Sequence, residues 1–175
     1  MKIESKDDRL LFLKYALPCA STLVKRGNVS EEYVQHLVQL ASKGKVPKEK
    51  AEEMFKVATA MCDYWAEKMH KDNVDSSVIR RYFLLEHSKV VDDRYEIMRD
   101  FNPVDCKTYL GSVVSSDTNF ARVKTKLGIR RYRKTFVKDA KKGDTVIVHF
   151  DYIIERAPKQ FITKMGVMNG RRKNA

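Results

Sequence analysis

The chain has 175 residues, of which 43% are hydrophobic, and it carries a net charge of +12. A chain of this length can bury one compact core or two small ones without cross-links. Its three cysteines are odd in number and form no C-x-x-C pair, which argues against a disulfide framework or a structural zinc site. No stretch approaches the roughly 20 apolar residues of a membrane span, and the apolar run before Cys19 contains Lys14, unlike a secretory signal. We therefore expect a cytoplasmic protein that does not enter the membrane.

The positive charge is concentrated in the second part of the chain. Residues 1–100 hold 18 Lys and Arg against 17 Asp and Glu, whereas residues 101–175 hold 17 against 6. Such a local excess attracts an acidic partner but does not specify a fold. We expect that partner to be a protein or single-stranded nucleic acid.

The first predicted helix begins at Asp7 or Asp8, whose carboxylates can cap the leading amides, and ends at Gly27. Pro18 is expected to kink or split it, because proline lacks the amide proton that a helix interior needs. A second helix is predicted to follow Ser30 and to end at Gly44.

A third helix is predicted from Pro47 to Met69, because its apolar residues repeat at helical spacing. A fourth is predicted to start at Asp75 or Ser76 and to run towards Asp100. Asn102-Pro103 should end the helical pattern, since the residue before proline is pushed out of helical geometry.

Beyond Pro103 the period of the apolar residues changes to two, which indicates strands. Turns are predicted at Gly128 and at Lys142-Gly143-Asp144. The predicted strands cover residues 108–114, 121–127, 130–137 and 145–155. The expected fold class is α+β, with an α-helical domain of helical-bundle type at 1–102, a small basic OB-like or SH3-like β-barrel at 103–168 and a disordered basic tail at 169–175.

The sequence has no phosphate-cradling glycine loop, nucleophile elbow or metalloprotease motif, so we do not expect an enzyme. His36, His70 and His87 lack a metal-binding neighbour at helical spacing and are interpreted as packing or surface residues. His149 differs, because it shares one face of a predicted strand with Asp151, which could orient its ring.

Two segments carry a family resemblance: C-K-T-Y-L-G-S-V-V at 106–114 and K-K-G-D-T-V-I-V-H at 141–149, which continues as F-D-Y-I-I-E to residue 155. They resemble the HypC/HupF family of hydrogenase maturation chaperones. The resemblance implies an OB-like barrel in a non-catalytic accessory protein. It also implies that Cys106 is a thiolate that holds a partner protein or an iron fragment, with His149 as its neighbour. Asp151, at a position where the family usually has glycine, is a further candidate for this site because it could orient the His149 ring.

The basic strands indicate an alternative function. Charged and aromatic side chains alternate along them, and this combination suits single-stranded RNA or DNA, because cations contact phosphates while exposed rings stack on bases. The candidate residues for this role are Arg122, Lys124, Lys126, Arg130, Arg131, Tyr132, Arg133 and Lys134, with Phe120 and Phe136 as further aromatic residues nearby.

Overall fold

The computed structural model describes residues 1–99 and 101–170. The chain divides into two compact units, the first spanning Met1–Glu86 and the second beginning at His87. Across the part of the chain that is described, every helix is too short or too polar to cross a membrane.

The first predicted helix is interrupted at Pro18, as expected. α1 spans Lys6–Ala16, a 3-10 turn covers Leu17–Cys19, and α2 spans Ala20–Lys25. The cap of α1 is Ser5, whose hydroxyl accepts hydrogen bonds from two amides in the first turn, rather than Asp7 or Asp8.

The second predicted helix is also confirmed, while the third begins later than expected. α3 spans Glu31–Ser42 and is capped by Ser30. After it, a 3-10 turn covers Ala51–Met54 and α4 spans Lys56–Lys68. The delay has a visible cause: the buried Glu52 in that turn accepts a 2.8 Å hydrogen bond from Arg9 Nε, which ties the segment to α1.

The fourth predicted helix starts after Asp75, whose carboxylate caps its first amides, as expected. It consists of α5 at Ser76–Arg80, a π-helical segment at Arg81–Glu86 and α6 at His87–Met98. The core of the first unit contains an aromatic cluster in which Phe83 lies 5.9 Å from Phe12 and 4.9 Å from Tyr15 between ring centroids.

The second unit has, within its described residues, five strands and a closing helix. The strands are β1 at Thr108–Ser116, β2 at Phe120–Thr125, β3 at Gly128–Arg133, β4 at Thr145–His149 and β5 at Tyr152–Arg156, followed by α7 at Lys159–Gly170. Pairing is antiparallel for β1–β2, β2–β3, β1–β4 and β4–β5, and parallel for β3–β5. The order of neighbours, β1-β2-β3-β5-β4, therefore returns to β1. A mixed α+β fold is thereby confirmed.

The predicted single strand at 145–155 is wrong. β4 ends at His149, and Phe150 and Asp151 form a turn in which Phe150 has a φ of +52°. Phe-Asp lacks the Asn-Gly or Asp-Gly signature of short hairpin turns, and the alternation of apolar residues continues through it. The sequence pattern therefore does not reveal the turn. The strand predicted at 130–137 similarly stops at Arg133.

The predicted boundary at Asn102-Pro103 differs from the observed division between Glu86 and His87. The reason is that α6, helical as expected, packs with the strands: the His87 and His149 ring centroids are 5.3 Å apart, and Asp92 forms an ion pair with Lys107. The helix α7 was not predicted. The last part of the predicted tail, residues 171–175, lies outside the described residues.

Candidate nucleic-acid interface

The outer face of the β2–β3 hairpin carries most of the predicted nucleic-acid-binding residues. The register pairs Phe120 with Arg133, Arg122 with Arg131 and Lys124 with Ile129, so that these six side chains point to the same side. Ala121, Val123, Thr125 and Tyr132, at the alternate positions, are buried. We call this surface, formed by Phe120, Arg122, Lys124, Ile129, Arg131 and Arg133, the β2–β3 face.

The cations of the β2–β3 face differ in how they are engaged. The Arg131 guanidinium lies 3.6 Å from the centroid of the partly exposed Phe120 ring. Arg133 Nε donates a 2.8 Å hydrogen bond to Asp151. For Arg122 and Lys124, no carboxylate among the described residues lies within ion-pair distance. These two exposed charges are therefore available to an anion.

The arrangement has an electrostatic cost for the isolated protein. Arg122 and Arg131 stand directly opposite each other on neighbouring strands, and like charges in that position are destabilising. A bound polyanion would remove this repulsion.

Three other candidate residues lie off the β2–β3 face, and each makes a contact through its charged group. Arg130 pairs with Asp105 at 3.4 Å, and the Lys126 ammonium lies 5.1 Å from the Tyr109 ring centroid. Lys134 is largely buried, and its Nζ donates a 2.8 Å hydrogen bond to the carbonyl oxygen of Asp117. Each of these three charged groups is therefore used in part by a contact within the second unit.

Two of the three predicted aromatic residues, Tyr132 and Phe136, are buried and do not face a ligand. Tyr132 is 3% exposed and Phe136 is 9% exposed, with the Phe136 ring stacked on Tyr152 at 5.3 Å. Alternation along residues 130–137 could not show this, because the strand ends at Arg133 and the chain turns inward. The aromatic residue on the outer face is Phe120.

The turn before β2 is held by hydrogen bonds to one carboxylate. The Asp117 carboxylate accepts hydrogen bonds from the amides of Phe120 at 2.8 Å and Asn119 at 2.9 Å. These bonds hold the pKa of Asp117 below its ordinary value, so the side chain stays ionised and committed to the turn. The sequence signal was an Asp two residues before an Asn, a pattern typical of such turns.

A surface depression of about 570 Å³ lies beside this turn. Its walls are residues 118–120, from the β1–β2 connection, and residues 133–135 with Lys138. Sequence reasoning missed Lys138 and Asn119, because no periodic pattern connects a turn with a segment so far along the chain.

The residues implied by the HypC/HupF resemblance are only partly brought together. His149 is fully buried, and its Nε2 lies 2.9 Å from the carbonyl oxygen of Cys106. Because a carbonyl only accepts, Nε2 carries the proton in this contact. Cys106 is itself 6% exposed.

Asp151 does not orient His149. Asp151 lies in the β4–β5 turn, and its exposed carboxylate pairs with Arg133. The single strand that would have placed Asp151 and His149 on one face is broken at this turn. A metal fragment held jointly by Cys106, His149 and Asp151 does not fit this arrangement.

His149 has a second buried histidine beside it. The ring of His87, in α6, meets it in an edge-to-face contact. Burial, with further contributions from His149 and Lys107, holds the pKa of His87 well below its ordinary value. His87 is therefore neutral at pH 7.

Comparison with protein-family models gives no match for the chain, and comparison with curated proteins gives none either.

Proposed function

We propose that this chain is a non-catalytic protein that binds single-stranded nucleic acid through the β2–β3 face. The observation that carries the proposal is the exposed set Arg122, Lys124 and Arg131, which shares one face with the partly exposed Phe120 ring, over which the Arg131 guanidinium lies. Cations that follow a backbone and a ring that stacks on a base are the two elements of single-strand recognition.

The strand order supports the same proposal. A five-stranded sheet with neighbours β1-β2-β3-β5-β4 and a β1–β4 pair is consistent with a small OB-like barrel. Such barrels bind oligonucleotides on the β2–β3 surface, between the connections β1–β2 and β4–β5. Here those connections are residues 117–119 and 150–151. The exposed cations Arg122 and Lys124 lie on the β2–β3 face between them.

In the proposed complex, Arg122 and Lys124 contact phosphates. The Phe120–Arg131 pair presents a flat surface on which one base stacks, because both a ring and a guanidinium plane accept a base. An intact duplex hides its base faces, so the protein is expected to prefer single strands.

The accessory-protein hypothesis that follows from the HypC/HupF resemblance stays a prediction. A thiolate that holds a partner or an iron fragment must be reached from solvent, and the burial of Cys106 and His149 does not favour this. The contact of the His149 ring with the Cys106 backbone suits a structural role better.

The test uses the full chain and a labelled single-stranded oligonucleotide of about 12 nucleotides, within the span of one or two OB-type sites. We expect binding that weakens steeply between about 50 and 200 mM salt, because phosphate counterions are released. The double variant Arg122→Glu with Lys124→Glu should lower the affinity by about 100-fold.

The matched control is Lys43→Glu with Lys45→Glu, an equal charge change at two exposed positions of the helical unit. It should lower the affinity by less than about threefold, because only the long-range field changes. Equal losses for the two double variants, or no salt-sensitive binding by the wild-type chain at micromolar concentration, would contradict the proposal.

A further inference from the structure

The depression beside the β1–β2 turn has a composition that fits one anionic group. Three cations line it: Arg133, Lys134 and Lys138. All of its lining residues are described, and none is a carboxylate. Of the acids beside it, Asp117 has its carboxylate bonded to backbone amides of the turn, and Asp151 is paired with Arg133 Nε.

Each cation retains hydrogen-bond donors for a ligand. Arg133 uses its Nε for Asp151, while its two terminal nitrogens have no hydrogen-bond partner among the described residues. Lys134 uses one of its three N–H groups for the Asp117 carbonyl oxygen. Lys138 is exposed and makes no ion pair within the described part of the chain.

The size and the position of the depression further restrict which ligand it can hold. A volume of about 570 Å³ lies within the range of sites that hold a small ligand or one nucleotide unit. Phe120 lines the depression and also belongs to the β2–β3 face, so a strand on that face has one end beside the depression.

We propose that the depression is a phosphate subsite, in which Arg133, Lys134 and Lys138 together hold one phosphate group of the bound strand. This inference rests on the proposed single-strand binding and adds a fixed point to it. Hydrogen bonds at the Asp117 turn position one wall and one cation of the subsite, because the carboxylate accepts from the amides of residues 119 and 120 and the carbonyl oxygen accepts from Lys134 Nζ. The phosphate is either an internal one or the terminal group of a strand.

The experiment measures the binding of the full-length chain to three oligonucleotides of one sequence, which carry a 5′-phosphate, a 3′-phosphate or no terminal phosphate. The test variant is Lys138→Glu, and the control is Lys142→Glu, an equal charge change at an exposed lysine of the same β3–β4 connection. We expect Lys138→Glu to weaken binding about 5- to 10-fold and to reduce the salt slope by about one, as for the loss of one phosphate contact.

The pattern across the three oligonucleotides identifies the source of the phosphate. A wild-type preference for one phosphorylated end that Lys138→Glu removes indicates a terminal phosphate, and an equal loss for all three indicates an internal one. Lys138→Gln, which removes the charge without reversing it, should reduce the salt slope by the same amount with a smaller loss of affinity.

Identical binding by Lys138→Glu and Lys142→Glu would overturn the subsite while leaving the β2–β3 face intact. Absence of binding by the wild-type chain would instead overturn the proposed function, and the subsite with it. Thermal unfolding of each variant shows whether a loss of binding reflects a loss of folding.

Discussion

The charged residues of the helical unit and those of the β2–β3 face differ in how they are engaged. In the helical unit, several cations have acidic partners: Arg9 binds Glu52, Lys71 binds Asp75 and Arg81 binds Glu86. On the β2–β3 face of the second unit, Arg122 and Lys124 have no acidic partner among the described residues, and Arg122 stands opposite Arg131.

Under the proposed function, the difference separates charges that stabilise the fold from charges that bind a ligand. A charge paired within its own unit stabilises that unit, or at least offsets its own desolvation. An unpaired row of like charges raises the free energy of the folded state, and an external anion is the compensation that the geometry allows. Deleting a paired charge should therefore lower stability, whereas deleting a charge of the β2–β3 face should raise it.

The largest stability effect is expected from Glu52→Gln. The side chains of Glu52 and Arg9 are 6% and 17% exposed, so the substitution leaves a poorly hydrated guanidinium without its carboxylate. The free energy of unfolding of the first unit should fall by about 2 to 3 kcal/mol. Urea titration followed by the fluorescence of the single tryptophan, Trp65, measures it.

The neighbouring Glu53→Gln is the control, because the Glu53 side chain is 66% exposed and lies 3.9 Å from Lys50. It should change stability by less than about 0.5 kcal/mol. Equal effects of the two substitutions would mean that the Arg9–Glu52 pair contributes nothing specific to the helical unit.

Gly111→Ala should affect the second unit next most strongly, through packing and not through charge. A Cβ at Gly111 would lie 2.5 Å from a side-chain carbon of Val123 and 2.9 Å from the Lys124 carbonyl oxygen. The close approach of β1 to β2 therefore requires glycine, and we expect a loss of about 1 to 2 kcal/mol. Amide hydrogen exchange of the β1–β2 pair measures it, and the exposed neighbour Ser112→Ala should leave the exchange unchanged.

The stability of the second unit should also fall on acidification below about pH 6.5. The pKa of His87 is lowered by burial, so the unfolded chain takes up a proton that the folded chain excludes. The stabilisation is fully present above the unfolded pKa and is lost as the pH falls, with a slope of up to about 1.4 kcal/mol per pH unit.

Hydrogen exchange of the strands at several pH values tests this dependence. His87→Gln should flatten it, whereas the exposed His36→Gln, in the helical unit, should not. A slope that persists unchanged in His87→Gln would assign the effect to another group.

The smallest effect, with the opposite sign, is expected from Arg122→Thr. Removing one of two opposed arginines relieves their repulsion and should raise the stability of the second unit by about 0.5 kcal/mol, while affinity for single strands falls. Arg156→Thr is the matched change on β5, because Arg156 has two carboxylate partners, Asp139 and Asp144, and should lose stability. Destabilisation by Arg122→Thr would contradict the expected difference between paired charges and the charges of the β2–β3 face.

Local sequence signals were sufficient for most of the helices and strands. Pro18 split the first helix, Ser30 and Asp75 capped the expected helices, and alternation located β1 and β2, because each of these effects acts between residues close in the chain. The charge count also located nearly all of the excess positive charge in the second part of the chain.

Only the tertiary structure decided which residues share a surface. The turn at Phe150 and Asp151 moved Asp151 away from His149, and the inward path after Arg133 buried Phe136. Strand pairing placed Phe120, Arg122 and Arg131 together, and the β1–β2 turn brought residues 118–120 beside Lys138. Pairing between strands depends on the whole sheet, so a period of two along one strand specifies alternation but not the partner or the face that meets solvent.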